Sequence, residues 1–181
     1  MNRTLARLSL CGVLALGAGA LSATPMGAAT APPVQSCAHV TGSITFTPGL
    51  TNTPANQTVA AKGNETGCTP AATTGGSAAL KATIHLTAGS CAKLAQGNQT
   101  LTGGATSTWK NAKVSHYNLT FKTGTGSAAT TATITGTVSS GLFVNHKVTG
   151  AVKFTPTGSP NCTTKPVKTA TFASTKPLVI H

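Results

Sequence analysis

The chain of 181 residues contains no aspartate, and Glu65 is its only glutamate. Paired carboxylates for glycoside hydrolysis and calcium sites built on several carboxylates are therefore excluded. A Ser-His-acid triad would have to take Glu65 as its orienting acid. Because Glu65 stands in the polar stretch KGNETGC, we predict that it is a solvated loop residue.

Acidic residues are scarce, whereas basic ones are not: thirteen Lys and Arg residues give a net charge of +12. The two arginines, Arg3 and Arg7, lie near the N-terminus, so the remaining chain is cationic through lysine alone. Lysine lacks the bidentate fork that reads bases and phosphates, and one Trp, one Tyr and five Phe offer few stacking surfaces. The sequence predicts no specific nucleic-acid binding. It favours a loose attraction to anionic cell-envelope polymers as partners.

Long apolar runs are also missing, except at the N-terminus. Residues 8–22 are apolar and follow the basic start, Pro25 interrupts them, and Gly27, Ala28 and Ala29 supply small residues, which is the order of an export signal. We predict a signal peptide over 1–29, a disordered arm over 30–36 and one domain over 37–181. About 15 apolar residues are short for a membrane span, so we expect a secreted protein with no span after cleavage. The sequence does not indicate an oligomeric state.

Alternation of apolar and polar residues at period two recurs along the rest of the chain. It is clearest at residues 39–46, 80–86, 115–122, 132–138 and 146–155, which are separated by stretches rich in Gly, Pro and Asn. This pattern predicts an all-β fold, a single antiparallel β-sandwich or barrel-like domain of about eight or nine strands. Two of the segments share a sequence, TGSITFTP at 41–48 and TGAVKFTP at 149–156. We interpret them as one device used twice, a strand that stops at Pro48 and Pro156.

Four cysteines follow residue 29, namely Cys37, Cys68, Cys91 and Cys162. An even number in an exported chain indicates two disulfides, and the spacing lacks the CxxC pairs of zinc sites. Three pairings are open. We favour Cys37–Cys68 with Cys91–Cys162, because the first would join the leading strand to the loop after the second.

Histidine is the remaining candidate for metal chemistry, and the five residues are His39, His85, His116, His146 and His181. A zinc or copper site would need three of them to converge from different strands. We expect exposed or hydrogen-bonded imidazoles instead, and we predict no metal and no cofactor.

One segment, TSTWKNAKVSHYN, concentrates aromatic and basic side chains. It supplies a candidate binding patch for a glycan or envelope polymer, made of Trp109, Lys110, Lys113, His116 and Tyr117. The alternative, which we favour, is that Trp109 closes a strand and packs on the core.

Several motifs together resemble those of small exported β-sandwich proteins of actinobacteria, which are largely uncharacterised. The motifs are Cys37 before a strand with Gly42, Ile44, Phe46 and Pro48, then Cys91, Trp109 at a strand end, and GTVSSGLF before Cys162. The resemblance implies a disulfide-bonded β-sandwich. It carries no known activity and no functional residues.

The sequence thus favours a secreted, non-enzymatic β-sandwich protein that is envelope-associated or binds an extracellular partner. The alternative is a hydrolase that uses a Ser-His pair or a His-bound metal. That alternative predicts a pocket in which those side chains converge.

Overall fold

The computed structural model of the protein describes residues 33–125, 130–158 and 161–181. Strands form most of these residues, as the period-two pattern predicts. In chain order the elements are β1 (Gln35–Leu50), β2 (Ala55–Thr69), α1 (Ala71–Thr74), β3 (Ser77–Gly89), α2 (Cys91–Gln96), β4 (Thr100–Trp109), β5 (Val114–Thr123), β6 (Thr131–Gly141), β7 (Lys147–Pro156) and β8 (Val167–Ile180).

The eight strands form a closed barrel in which each strand pairs with the next in the chain. All pairs are antiparallel, and β8 closes the barrel by pairing with β1, for example at Ile44 opposite Ala170. The predicted all-β antiparallel fold is confirmed. Of the two predicted forms, a sandwich or a barrel, the structure has the barrel, because the β1–β8 ladder joins the two outermost strands and leaves no sheet edge. The β-sandwich that the resemblance implied is wrong.

The barrel has two ends, which differ in what covers them. At the first end lie the starts of β1, β3, β5 and β7, the Cys37–Cys68 disulfide and Trp109. At the second end lie α2 and the Cys91–Cys162 disulfide. Ser90 caps α2 by accepting a hydrogen bond from the Lys93 amide at 3.1 Å.

Both predicted disulfides are confirmed. Cys37 and Cys68 are directly opposite each other on β1 and β2, so Cys68 belongs to a strand and not to the loop expected there. Cys91 is the first residue of α2, and Cys162 lies in the connection between β7 and β8. This second bond ties α2 to the barrel across the chain's longest covalent loop, a separation of 71 residues.

The repeated sequence places both of its copies beside β8. Phe172 on β8 pairs with Gly42 of β1 on one side and with Phe154 of β7 on the other. β7 ends at Pro156, as predicted, but β1 continues past Pro48 to Leu50, so the predicted stop at Pro48 is wrong. Pro48 falls where the β1–β8 register is interrupted, between residues 45 and 50, and no ladder bond needs its missing N–H there.

The N-terminal boundary also differs from the expectation. β1 begins at Gln35, which is 1% exposed, and the Val34 amide donates a hydrogen bond to the Ile180 carbonyl at 2.9 Å. The last residues of the predicted arm over 30–36 are therefore ordered against β8. The predicted signal peptide over 1–29 lies outside the described residues. In the part of the chain that the structure describes, no helix has the length and hydrophobicity needed to cross a membrane.

Candidate functional site

A row of one isoleucine and three alanines crosses the inside of the barrel at mid-height. Ile44, Ala61, Ala82 and Ala105 are opposite one another on the four consecutive strands β1 to β4. Methyl groups fill little of the space between the walls of an eight-stranded barrel. The row borders a cavity of about 120 Å³.

The cavity wall is apolar, and many of its side chains are only half-buried. Ile44, Phe46, Leu80, Phe121 and Phe154 are examples. These side chains point into the barrel, and the surface that they leave uncovered is part of the cavity wall. An apolar concave surface of this kind suits an apolar ligand.

A second cavity of about 170 Å³ lies at the second end of the barrel. Phe46, Leu94 and Phe154 line both cavities. Leu94 belongs to α2, which the Cys91–Cys162 disulfide holds in place. The barrel interior and the space beside α2 thus have wall residues in common.

Glu65 lies inside the barrel, near its first end, and is 0% exposed. The prediction of a solvated loop residue is wrong. Glu65 is on β2, at the same parity as the inward residues Val59 and Ala61, and it is opposite Val40 on β1. β2 continues through the polar residues around Glu65 because both neighbouring strands, β1 and β3, pair with it there.

Within the described ranges, the Glu65 carboxyl group has one hydrogen-bond donor and no cationic partner. Ser107 donates a hydrogen bond to Oε1 at 2.5 Å, and Oε2 lies 3.6 Å from the Cys37 sulfur. That sulfur is in a disulfide and has no hydrogen, so the carboxyl must be the donor in any hydrogen bond between them. Among the residues the structure describes, no cation forms an ion pair with Glu65.

Burial raises the pKa of Glu65 from 4.5 to about 7, and the Ser107 hydrogen bond opposes part of this rise. Desolvation is the cause, because a charged carboxylate is costly in an apolar interior. The group therefore changes protonation state near neutral pH.

Tyr117 connects the carboxyl cluster to the cavity. Its ring lines the cavity, and its hydroxyl interacts with Ser107 and Ser115 without reaching a normal hydrogen-bond geometry to either. Desolvation raises the pKa of Tyr117, and the charge of Glu65 raises it further. The hydroxyl thus stays neutral between the cluster and the cavity.

A second hydrogen-bonded chain seals the first end of the barrel. Trp109 Nε1 donates to the Ser115 hydroxyl at 2.8 Å, and Ser115 donates to the Leu142 carbonyl at 2.8 Å. Phe143 meets the Trp109 ring edge-on, with 5.9 Å between the ring centroids. Because both polar groups are satisfied, a buried Trp here closes the barrel without an unpaired donor.

The candidate binding patch does not form one surface. Trp109 is the last residue of β4 and is 2% exposed, and Tyr117 is 3% exposed, so neither ring can stack on a sugar from outside. Lys110, Lys113 and His116 are exposed. Trp109 packs on the core, as the favoured alternative predicts.

The histidines are spread over the outside of the barrel. Three of them have hydrogen bonds from a ring nitrogen: His116 with Thr106, His146 with the His181 carbonyl, and His181 with Thr149. His39 and His85 are exposed. In the described ranges, the only three metal-ligand side chains that meet are Cys37, Glu65 and Cys68, and both sulfurs are in a disulfide. Neither a three-His site nor a Ser-His pair is present among these residues.

No protein family, curated protein or solved structure matches this chain. The resemblance to actinobacterial exported proteins stays a prediction.

The two features that sequence reasoning missed are the Glu65 cluster and the cavity. The period-two series Gln57, Val59, Ala61, Gly63 and Glu65 carries a signal for the first, since all five positions share one face of β2. The alanines at 61, 82 and 105 become a cavity wall only when the barrel closes and sets them opposite one another.

Proposed function

We propose that the protein is a secreted, non-enzymatic binding protein that takes a small apolar ligand into its barrel. One observation carries the proposal: the barrel contains an apolar cavity with half-buried Leu, Ile and Phe side chains on its wall. Eight-stranded barrels are wide enough to hold one small ligand. The two disulfides are compatible with an extracellular location.

The size of the ligand follows from the two cavities. A cavity of about 150 Å³ holds one benzene ring. The cavities of about 120 and about 170 Å³, which share Phe46, Leu94 and Phe154 as wall residues, together offer about twice that space. A single chain or ring system of about a dozen heavy atoms fits them.

The affinity of such a ligand is limited. Each buried methylene contributes about 0.8 kcal/mol, and association costs at least about 4 kcal/mol. A ten-carbon chain is then expected to bind with a dissociation constant of about 1 mM at best, before any polar contact is counted.

Decanol binding to the oxidised protein tests the proposal, with NMR titration as the measurement. In Ala61→Leu, the larger side chain occupies the cavity, and decanol should bind at least about tenfold more weakly. Ala60→Leu is the matched control, because Ala60 is the exposed neighbour on the outer face of β2. Equal affinities of the two variants, or no binding to the wild type, would contradict the proposal.

A second candidate function, association with an anionic envelope polymer, is favoured by the outer surface. The only acidic side chain, Glu65, is buried, so the described outer surface has no acidic side chain to balance its lysines. Lys62 and Lys81 are exposed and directly opposite each other on β2 and β3, an arrangement that is unfavourable unless an anion lies between them.

Co-sedimentation with purified anionic cell-wall polymer tests this second function. Retention should persist at about 0.15 M salt and weaken as salt rises further, because added ions screen the attraction. The double variant Lys62→Ser with Lys81→Thr should be retained less than wild type. Absence of retention of the wild type at physiological salt would refute envelope binding by charge.

A further inference from the structure

The cavity wall contains an irregular segment, Ser174–Pro177 of β8, at which the pairing is interrupted on both sides. On its β1 side the regular pairing stops between Cys37 and Thr41, and on its β7 side the register shifts on both sides of Ala151. β8 has one residue more than β1 across this gap. Such bulges redirect side chains and interrupt the ladder of hydrogen bonds.

Lys176 lies in this segment and is the only charged residue among those lining the barrel cavity. It is also exposed, so its side chain reaches both the cavity wall and solvent. Lysine behaves in this way when its apolar stem packs on an apolar surface and its ammonium stays in water. With no acidic side chain on the described surface, Lys176 has no carboxylate partner in the protein.

A hydroxyl donor lies close to Lys176 along the same strand. Ser174 lines the cavity, and its oxygen accepts a hydrogen bond from the Val40 amide at 3.0 Å. This bond leaves the hydroxyl hydrogen of Ser174 available to donate. An ammonium and a hydroxyl two residues apart, at a gap in an apolar wall, together fit the oxygens of an anionic head group.

We infer that the ligand of the barrel is an apolar chain with a single carboxylate, and that Lys176 binds the carboxylate at the irregular β7–β8–β1 seam. The inference rests on the proposed function and deepens it. The chain runs from Lys176 through the cavity toward Phe46 and Phe154 at the second end. A medium-chain fatty acid has the required length, since both cavities together hold about a dozen heavy atoms.

The test compares decanoate, decanol and decylammonium by NMR titration at neutral pH. Wild type should bind decanoate about tenfold more tightly than decanol and decylammonium most weakly, because a charge-assisted hydrogen bond adds to a common apolar contribution. Lys176→Gln should remove the preference for decanoate and leave decanol unchanged. Lys153→Gln is the control: Lys153 is an exposed lysine on β7 that does not line the cavity, and its loss should leave the preference in place.

The outcomes separate the two proposals. If decanol binds and decanoate binds no better, the carboxylate assignment is wrong while the apolar site stands. If Lys153→Gln reduces decanoate binding as much as Lys176→Gln, general attraction to a cationic protein explains the preference, and the assignment to Lys176 fails. If none of the three compounds binds, the proposed function itself fails. A separate titration with decyl sulfate in place of decanoate reports whether the seam requires a carboxylate or accepts any anionic head group.

Discussion

Replacing Glu65 with glutamine should abolish a pH dependence of stability that the wild-type protein shows between about pH 4 and about pH 8. The pKa of Glu65 is about 7 in the folded protein, against 4.5 for the ordinary group. The folded state therefore holds this proton more tightly than the unfolded chain does. The stabilisation is complete below pH 4.5 and is lost as the pH rises through 7.

The size of the effect follows from the two pKa values. The difference between about 7 and 4.5 corresponds to about 3 kcal/mol of unfolding free energy at 25 °C. This is a large fraction of the about 5–15 kcal/mol that stabilises an ordinary domain. The full figure applies as an order of magnitude because Glu65 is 0% exposed and water does not screen it.

Urea unfolding with both disulfides intact measures the effect. Wild type should lose about 3 kcal/mol relative to Glu65→Gln as the pH rises from about 4 to about 8. The glutamine amide resembles the protonated acid and can still accept the Ser107 hydrogen bond, so the variant should be the more stable protein at the higher pH. Every other ionisable group is present in both proteins, so the difference between them isolates Glu65.

The pKa of Glu65 can be measured directly by NMR. Glu65 is the only side-chain carboxyl group in the chain, so its carboxyl carbon gives a single side-chain carboxyl resonance in a ¹³C titration. A midpoint near 7 is expected. A midpoint near 4.5, or parallel stability profiles for wild type and Glu65→Gln, would show that the carboxyl group is not desolvated as the structure has it.

Two further predictions concern the architecture. Replacing Cys91 and Cys162 with serine opens a covalent loop of 71 residues, so the free energy of unfolding should fall by about 4 kcal/mol because the unfolded chain gains entropy. Decanol should also dissociate faster, because α2 is no longer held by the disulfide. Unchanged urea midpoints and unchanged dissociation rates would contradict this prediction. Gly63→Ala should lower the thermal midpoint, because the added methyl would lie 2.3 Å from the Thr41 carbonyl oxygen and 2.9 Å from the Phe172 ring, whereas Gly158→Ala meets nothing within 4 Å and loses only what its positive φ costs.

The sequence was sufficient for the strands and the disulfides, and particular residues show why. Thr, Val and Ile alternate along β6 and β7, so the inward residues Ile134, Val138 and Val148 could be identified from their period alone. The disulfide pairing could be favoured because Cys37 and Cys68 bracket the first hairpin. Both inferences depend on contacts between neighbouring strands, which local sequence largely determines.

Barrel closure could not be predicted in the same way. A sandwich and a barrel have the same alternation, and they differ in whether β1 pairs with β8, which are more than a hundred residues apart in the chain. Gly42 and Gly63 can be explained only once the pairing of β1 with β8 is known. They are opposite each other on β1 and β2, and the Phe172 ring of β8 lies against both, where a Cβ would be 2.7 and 2.9 Å from it.

The error at Glu65 has a different cause, and it bears on the function. A glutamate among Lys, Asn, Thr and Gly is solvated in most proteins, because local polarity and exposure usually agree. Here they disagree, since the barrel wall turns every second residue inward whatever its polarity. A protein with a single carboxyl side chain has buried it beside its cavity and left its outer surface cationic. Moving that one group outside would weaken any attraction of the surface for anions, and its present position leaves Lys176 without a competing carboxylate.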